Sequence, residues 1–488
     1  MQKITNKKTI LSSIIILTLL TTGLGFTVVI NALSKEADRS REFEVFKEAI
    51  TIVRKSYVEE IPSKNLIHNA VEGMVESIDL CAESDTPGKN HDICRDAKDM
   101  FVKQLSGISE GEADGSEELK AFRDTFATVR ETYDEKDRSE RLIHSAIKKM
   151  IESLDSHSEF MTPEQYQEMQ VEAKGEFGGI GIKLAVQEGM LTVTGVLNGT
   201  PASKAGIRVG DKIIKINNIV TNDMNLEDAI ARLRGNPATS VRLAILRGQS
   251  QQAEDVTLVR EIISIKSVAS RLLGDGVGYV KINQFQKKTA SELSGALSEL
   301  QQKHVRALIL DLRDNPGGLV FSAVDVAGHF IPSGKTVVYT NNRKGKKKEY
   351  RSRGNYPFSS VPLILLVNEK SASAAEIVAG ALKDWERATL IGNRTYGKGS
   401  VQTLLPLKDG SAVKITTANY FTPKGNSIQT TGIVPDMLVT QGIKKDARMV
   451  LDARDDIQFQ TALSLLKHGT VQGGRVPLAV KTAHMGHL

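Results

Sequence analysis

The sequence is poor in the residues that most directly announce a mechanism. It holds 2 cysteines among 488 residues. Cys81 and Cys94 bracket a polar loop, "AESDTPGKNHDI", with His91 alone beside them. That falls short of the ligand set a structural zinc requires, so no metal site is expected. No single charge dominates either: a net charge of +6 is modest for so long a chain and does not argue for nucleic acid. The densest basic run, Arg343 to Arg353, lacks an aromatic stacking platform and reads as a solvated hairpin tip. Histidine offers no catalytic setting. His157 has Asp155 and Ser158 only as sequence neighbours and reads as a turn residue, while His329 sits in an apolar stretch and reads as core.

What is present begins at the N-terminus. Lys3, Lys7 and Lys8 precede an uncharged run from Thr9 to Leu33, long enough to cross a bilayer with its basic flank on the cytoplasmic side. An uncleaved anchor is expected ahead of a cleaved signal, because the run is long and Ile30 and Ala32 make a poor cleavage site. Either way, the chain beyond Ser34 is expected on the exported side. In an oxidising compartment Cys81 and Cys94 could pair, worth about 3 kcal/mol for such a loop, the alternative being two free thiols.

After the anchor comes an internal repeat. Val53 to Asp79 aligns without gaps on Val129 to Asp155. Tyr57 matches Tyr133, Leu66-Ile67-His68 matches Leu142-Ile143-His144, and Met74 matches Met150. The apolar residues fall at helical spacing, which predicts a duplicated helical hairpin suited to docking or dimerisation. His68 and His144 read as partly buried helix residues. From Gly175 to Arg260 the pattern changes to short strands punctuated by glycine around one helix, a small barrel-like module. From Gly276 onward, near-continuous apolar strands alternate with helices, which predicts a sheet covered on both faces. A hairpin turning at Asp409-Gly410 follows, and the residues from about His468 have little pattern.

Three segments of the last region carry candidate chemistry. In "NEKSASAAEIVAGALKD", Ser371 and Ser373 lie where a strand hands over to a helix. Ser373 with Glu376 three residues on fits a helix capping box. A serine at a helix N-terminus also has backbone N–H groups where an oxyanion would form, that of Ala374 above all. "LDLRDNPGGL" ends a buried strand in Gly317-Gly318, which lets backbone approach a ligand closely. "TYGKGSVQT" sets Lys398 between two glycines, with Gln402 four residues on. A neutral lysine can serve as general base to a serine, with a glutamine oxygen holding the amine.

Taken together with "GEFGGIGI", "PASKAGIRVGDKIIKI" and "YFTPKGNSIQTTGIVPD", these motifs resemble those of the carboxy-terminal processing peptidases, or tail-specific proteases, from about Leu154 to Leu466. The resemblance implies a Ser–Lys serine protease with Ser373 as nucleophile, Lys398 as base and Gln402 as its orienting partner. The oxyanion hole would use Ala374 with Gly317 or Gly318. It also implies a PDZ domain that takes protein C-termini on the loop Gly178-Gly179-Ile180-Gly181-Ile182, with Arg234 as a candidate for coupling capture to cleavage. One departure from the family's usual serine-rich motif is Ala375, which is outside the dyad.

The fold class expected is multidomain α+β. A cytoplasmic tip and membrane helix (1–34) precede a helical region with the duplicated hairpin (35–172). A PDZ domain (173–262) and an α/β peptidase core of the crotonase/Clp-like kind with a β-hairpin extension (263–466) follow, then a tail (467–488). No cofactor is expected. The expected partners are protein substrates with apolar C-termini, a second copy of the chain through the N-terminal helices, and a bacterial-type inner membrane with the catalytic part in the periplasm. The competing reading is an anchored PDZ scaffold with an inactive or regulatory core.

Overall fold

A computed structural model describes residues 41–81, 116–132, 138–222, 224–248, 252–354, 358–440 and 455–468. The expected membrane helix, the Cys81–Cys94 pairing and the tail beyond 468 lie outside these residues or depend on them. Among the described residues no helix is long and apolar enough to cross a membrane. The chain divides into two compact units. One holds the N-terminal residues through Tyr166 with 341–346 and 400–418, and the other holds the remainder.

The first unit opens with helix α1 (residues 41–56) and α2 (Ser63–Cys81), then α3 (Ser116–Thr132) and α4 (Arg138–Glu152). These are the two hairpins of the repeat. The equivalent apolar residues Leu66, Ile67, Ala70 and Met74 of α2 and Leu142, Ile143, Ala146 and Met150 of α4 are all buried in one core. Phe46 of α1 stacks on Phe122 of α3 with ring centroids 3.7 Å apart. Helices α2 and α4 approach closely at Gly73, where an added Cβ would lie 2.4 Å from Cβ of Lys149. Gly73 and Lys149 are themselves equivalent positions of the repeat, so the two copies pack about a local pseudo-twofold. The apolar faces expected to serve dimerisation are therefore covered within the chain. His144 is half-buried as expected, whereas His68 is exposed.

Strand β1 (Glu159–Met161) completes this unit by pairing antiparallel with a strand far along the chain, Phe160 opposite Val413. This pairing, with Leu407, Val413 and Ile415 buried in the helical core, is why 400–418 groups with the N-terminal helices rather than with the second unit. The division thus departs from the boundaries expected from sequence. Helix α5 (Pro163–Lys174) leads out of the unit.

The second unit contains two sheets and a short ribbon. The ribbon pairs β2 (Glu176–Gly179) with a later strand, Glu261–Ser264. The first sheet is built from β3 (Ile182–Gln187), β4 (Met190–Val196), β5 (Lys212–Ile216), β6 (Ile219–Val220), β7 (Ser240–Leu246) and β8 (Glu254–Val259). The order is β3-β4-β5-β7-β8, with β6 on β5, so β3 is an edge strand. A one-turn helix α6 (Pro201–Lys204) and α7 (Leu226–Leu233) pack on it, with Asn225 capping α7 through the N–H of Asp228. Alternation over the first four residues of β7 (Ser240 and Arg242 exposed, Val241 and Leu243 buried) and at Thr257–Val259 of β8 marks a wet face there.

After β9 (Glu261–Ser264), the second sheet runs β10 (Val268–Leu272), β11 (Val277–Ile282), β12 (Ala307–Asp311), then two later strands and a short last one. Helix α8 (Thr289–Gln302) links β11 to β12, and α9 (Val320–Ala327) follows β12. Strands β13 (Thr336–Asn341) and β14 (Lys347–Arg351) form a hairpin, but the basic run expected as its tip covers the turn and all of β14, a largely exposed strand. Then come β15 (Leu363–Val367), α10 (Ala374–Asp384) and β16 (Thr389–Gly392). Strands β17 (Ser400–Pro406) and β18 (Ala412–Phe421) form the hairpin at Asp409-Gly410, and β19 (Met437–Leu438) and α11 (Ile457–His468) close the chain.

The sheet order is β10-β11-β12-β15-β16-β19, parallel from β11 onward. Every residue of β12 and of β15 is buried. That requires cover on both faces, which explains their unbroken apolar runs. Phe459 and Ala462 of α11 lie against Ile309, Ile364, Leu366 and Ile391 on one face. His329 lies past the end of α9, half-exposed, with Nδ1 3.0 Å from the Asp325 carbonyl. It is therefore not core: α9 ends at Ala327, two residues before it.

Candidate active site

The three candidate segments leave the carboxyl ends of three neighbouring parallel strands. The Gly317-Gly318 turn follows β12, Ser373 follows β15 and Lys398 follows β16. This edge is where open α/β sheets place their ligands, because the loops there converge.

Hydrogen bonds stitch the loops together. The Ser371 hydroxyl, fully buried, donates to the Leu312 carbonyl at 2.7 Å, and the Ala372 N–H donates to the Asn315 carbonyl at 3.0 Å. Asp314 and Asn368 exchange two bonds, at 2.9 and 3.0 Å. The Tyr396 N–H donates to the Ser371 carbonyl at 3.0 Å. Ser371 is thus a structural staple between the loops.

Ser373 is half-exposed and has φ 53° and ψ −114°. A positive φ is costly for a residue with a Cβ, by about 1–3 kcal/mol, and persists only where the surroundings enforce it. Here the enforcement is Glu376. Its carboxylate is fully buried and accepts the Ser373 N–H at 2.9 Å. The same carboxylate accepts the Lys398 N–H at 2.9 Å, the Gly397 N–H at 2.7 Å and the Thr395 hydroxyl at 2.6 Å. Ser373 and Lys398 donate to the same oxygen, so their backbone nitrogens lie no further apart than those two bonds laid end to end. Sequence reading had given Glu376 only the capping role. Lys398 itself is half-buried.

The glycine turn sits directly against the serine. A Cβ on Gly317 (φ 105°) would lie 2.8 Å from Cβ of Ser373 and 2.9 Å from the Ala374 nitrogen. Only glycine leaves that space open. The Gly317 N–H is not available to a ligand, however: it donates to Asn315 Oδ1 at 2.9 Å. Gly318 is exposed, and its φ of 135° and close approach to the Phe285 carbonyl also demand glycine. Of the two donors considered from sequence, Gly317 is the one the geometry removes.

Below the turn lies a buried ionic network. Asp311, the last residue of β12, accepts from Arg313 and from the Tyr279 hydroxyl, the latter at 2.7 Å. Burial alone would raise the Asp311 carboxyl, but the Arg313 guanidinium and the tyrosine outweigh it and hold the group below the usual carboxylate range. Arg313 also reaches Asp456 at 2.8 Å, tying the approach to α11 to the strand that carries the glycine turn.

Gln402 belongs to the first unit, where its Nε2 donates to Ser400 Oγ at 2.8 Å and to Thr416 Oγ1 at 3.4 Å. The peptide-binding candidates lie elsewhere in the second unit. Gly179, Ile180, Gly181 and Ile182, but not Gly178, line an open cavity of about 400 Å³ together with Phe177, Ile230 and Leu233. Arg234 stands at its wall, its guanidinium 4.8 Å from the Phe177 ring centroid and 3.7 Å from Glu168.

The description of peptidase family S41 matches residues 276–439, and that of the PDZ domain matches residues 192–247. Over 346 residues the chain is 38% identical to a carboxy-terminal-processing protease of Bartonella bacilliformis, covering 70% of this chain and 80% of the relative. Over 357 residues it is 37% identical to a carboxyl-terminal-processing protease of Synechocystis sp., covering 71% and 82%. A solved photosystem II D1 C-terminal processing protease matches 82% of this chain and 93% of its own, at 27% identity and a TM-score of 0.44. The chain belongs to peptidase family S41, among the serine-type carboxyl-terminal-processing proteases.

Proposed function

We propose that this chain is an exported, membrane-anchored endopeptidase that captures the apolar C-terminus of a protein and cuts the polypeptide by a Ser–Lys acyl-enzyme mechanism. The single observation that carries the catalytic half is the shared carboxylate of Glu376, which ties Ser373 and Lys398 together at the ends of adjacent strands. The enforced backbone of Ser373 adds support, since strain of this kind gathers at nucleophiles on strand-to-helix turns.

In this reading the neutral amine of Lys398 takes the Ser373 proton as Oγ attacks the scissile carbonyl. The oxyanion is received by the N–H groups of Ala374 and Gly318. The lysine then gives its proton to the leaving amine, and water hydrolyses the acyl-enzyme. Gln402 is assigned as the orienting partner of the lysine on the sequence resemblance alone.

Capture rests on β3, whose outer edge has no neighbouring strand among the described residues and so invites an added one. The apolar cavity beside it suits a terminal side chain, and Arg234 is the candidate link between capture and cleavage. Anchoring by residues 9–33 and export rest on the sequence.

The test uses the full-length protein with an unfolded substrate ending in Ala-Ala. Cleavage is expected from the wild type and is abolished in Ser373→Ala. Lys398→Arg is equally inactive, because a guanidinium does not give up its proton. Binding without fragments from the wild type would favour the scaffold reading.

A further inference from the structure

Among the described residues three aromatic side chains are strongly exposed: Phe321 at 67%, Tyr396 at 61% and Trp385 at 38%. Two of the three stand on the loops that carry the candidate site, Phe321 just past Gly317-Gly318 and Tyr396 two residues before Lys398. Phe321 follows the glycine turn in the first turn of α9, beside Leu319, itself 37% exposed. Its ring meets Tyr350 edge-on at 5.9 Å, which holds it in place without covering it. Tyr396 is pinned by its N–H to the Ser371 carbonyl, and the next two residues, Gly397 and Lys398, are held by Glu376. Trp385, by contrast, spends its indole N–H on the Thr336 carbonyl and carries Lys335 over its ring. Leu319, Phe321 and Tyr396 thus expose apolar side chains on the two loops that also bear the glycine turn and Lys398.

We propose that Leu319, Phe321 and Tyr396 form the surface that selects the residues next to the scissile bond, and that they take apolar or aromatic side chains from an extended substrate. This rests on the protease reading above and adds to it a preference separate from capture of the C-terminus. Exposed rings held rigidly at a reaction site bury large area at little entropic cost when a side chain lies on them. A charged substrate residue laid on the rings would lose solvation for little return.

The experiment compares kcat/KM of the full-length enzyme on peptide pairs with one fixed C-terminus. The pairs differ only in leucine or glutamate beside the cut. The wild type is expected to prefer leucine by at least tenfold. Phe321→Ser and Tyr396→Ser are expected to shrink that ratio severalfold through loss on the leucine peptide. Phe321→Leu is expected to restore it, and thermal midpoints should be unchanged because both rings are exposed. A wild type that cleaves both peptides equally, or serine variants that keep the full ratio, overturns this inference and leaves the protease reading intact. A wild type that cleaves nothing overturns both.

Discussion

The backbone N–H of Lys398 donates to Glu376 at 2.9 Å, on the oxygen that also receives the N–H of Ser373. One buried carboxylate therefore sets the register between the two loops on which the proposed chemistry depends. Glu376→Gln keeps the volume but turns an amide N–H₂ toward donors. The expected result is a folded enzyme whose kcat falls about 100-fold, the order that a small misplacement of reacting groups costs. KM is expected to stay within a few-fold. Steady-state kinetics on one peptide separate this from a binding defect.

Ser373 stores backbone strain at φ 53°. Ser373→Gly removes both the hydroxyl and the strain. An inactive protein is expected that is more stable than the wild type by about 1 kcal/mol, strain relief exceeding the added entropy of glycine. Urea denaturation beside an activity assay checks it. A loss of stability would show that the backbone is not strained there.

Arg313→Met is expected to cost about 3–5 kcal/mol, because it leaves the Asp311 carboxylate buried without its cation. It also releases Asp456. Proteolysis near residues 455–468 should accelerate with the loss.

Asp409 supplies a pH dependence in the first unit. Burial alone would raise its carboxyl, but hydrogen bonds from His144 and Ser411 outweigh this and lower it. A depressed folded-state value contributes stability that is present above the ordinary carboxyl value, about 3.9, and is lost as pH falls through the folded one. Wild-type stability should therefore decline on acidification below about pH 4 more steeply than that of Asp409→Asn. Urea midpoints followed from pH 5 downward give the comparison.

Much of the candidate site's layout was legible in the sequence because its markers are local. A serine after a continuous apolar run, a double glycine after another, and a lysine between glycines each announce a loop at a strand end. The wider role of Glu376 was not legible. Two of its donors, Thr395 and Lys398, stand 19 and 22 residues away, and a bond across that separation leaves no periodic trace. The same reason hid the pairing of Phe160 with Val413, which joins 400–418 to the helices. Gly317 and Gly318 look alike in a sequence. Only the side chain of Asn315, which occupies one N–H, tells them apart.

The pseudo-twofold between the helical hairpins has a genetic corollary. In a pair made of two identical chains every substitution lands on both halves at once, so the halves must stay compatible with a single sequence. Fused in tandem, each half can drift alone. The histidines already display such divergence: His144 has been recruited to the turn at Asp409, 2.9 Å away, while its counterpart His68 faces outward.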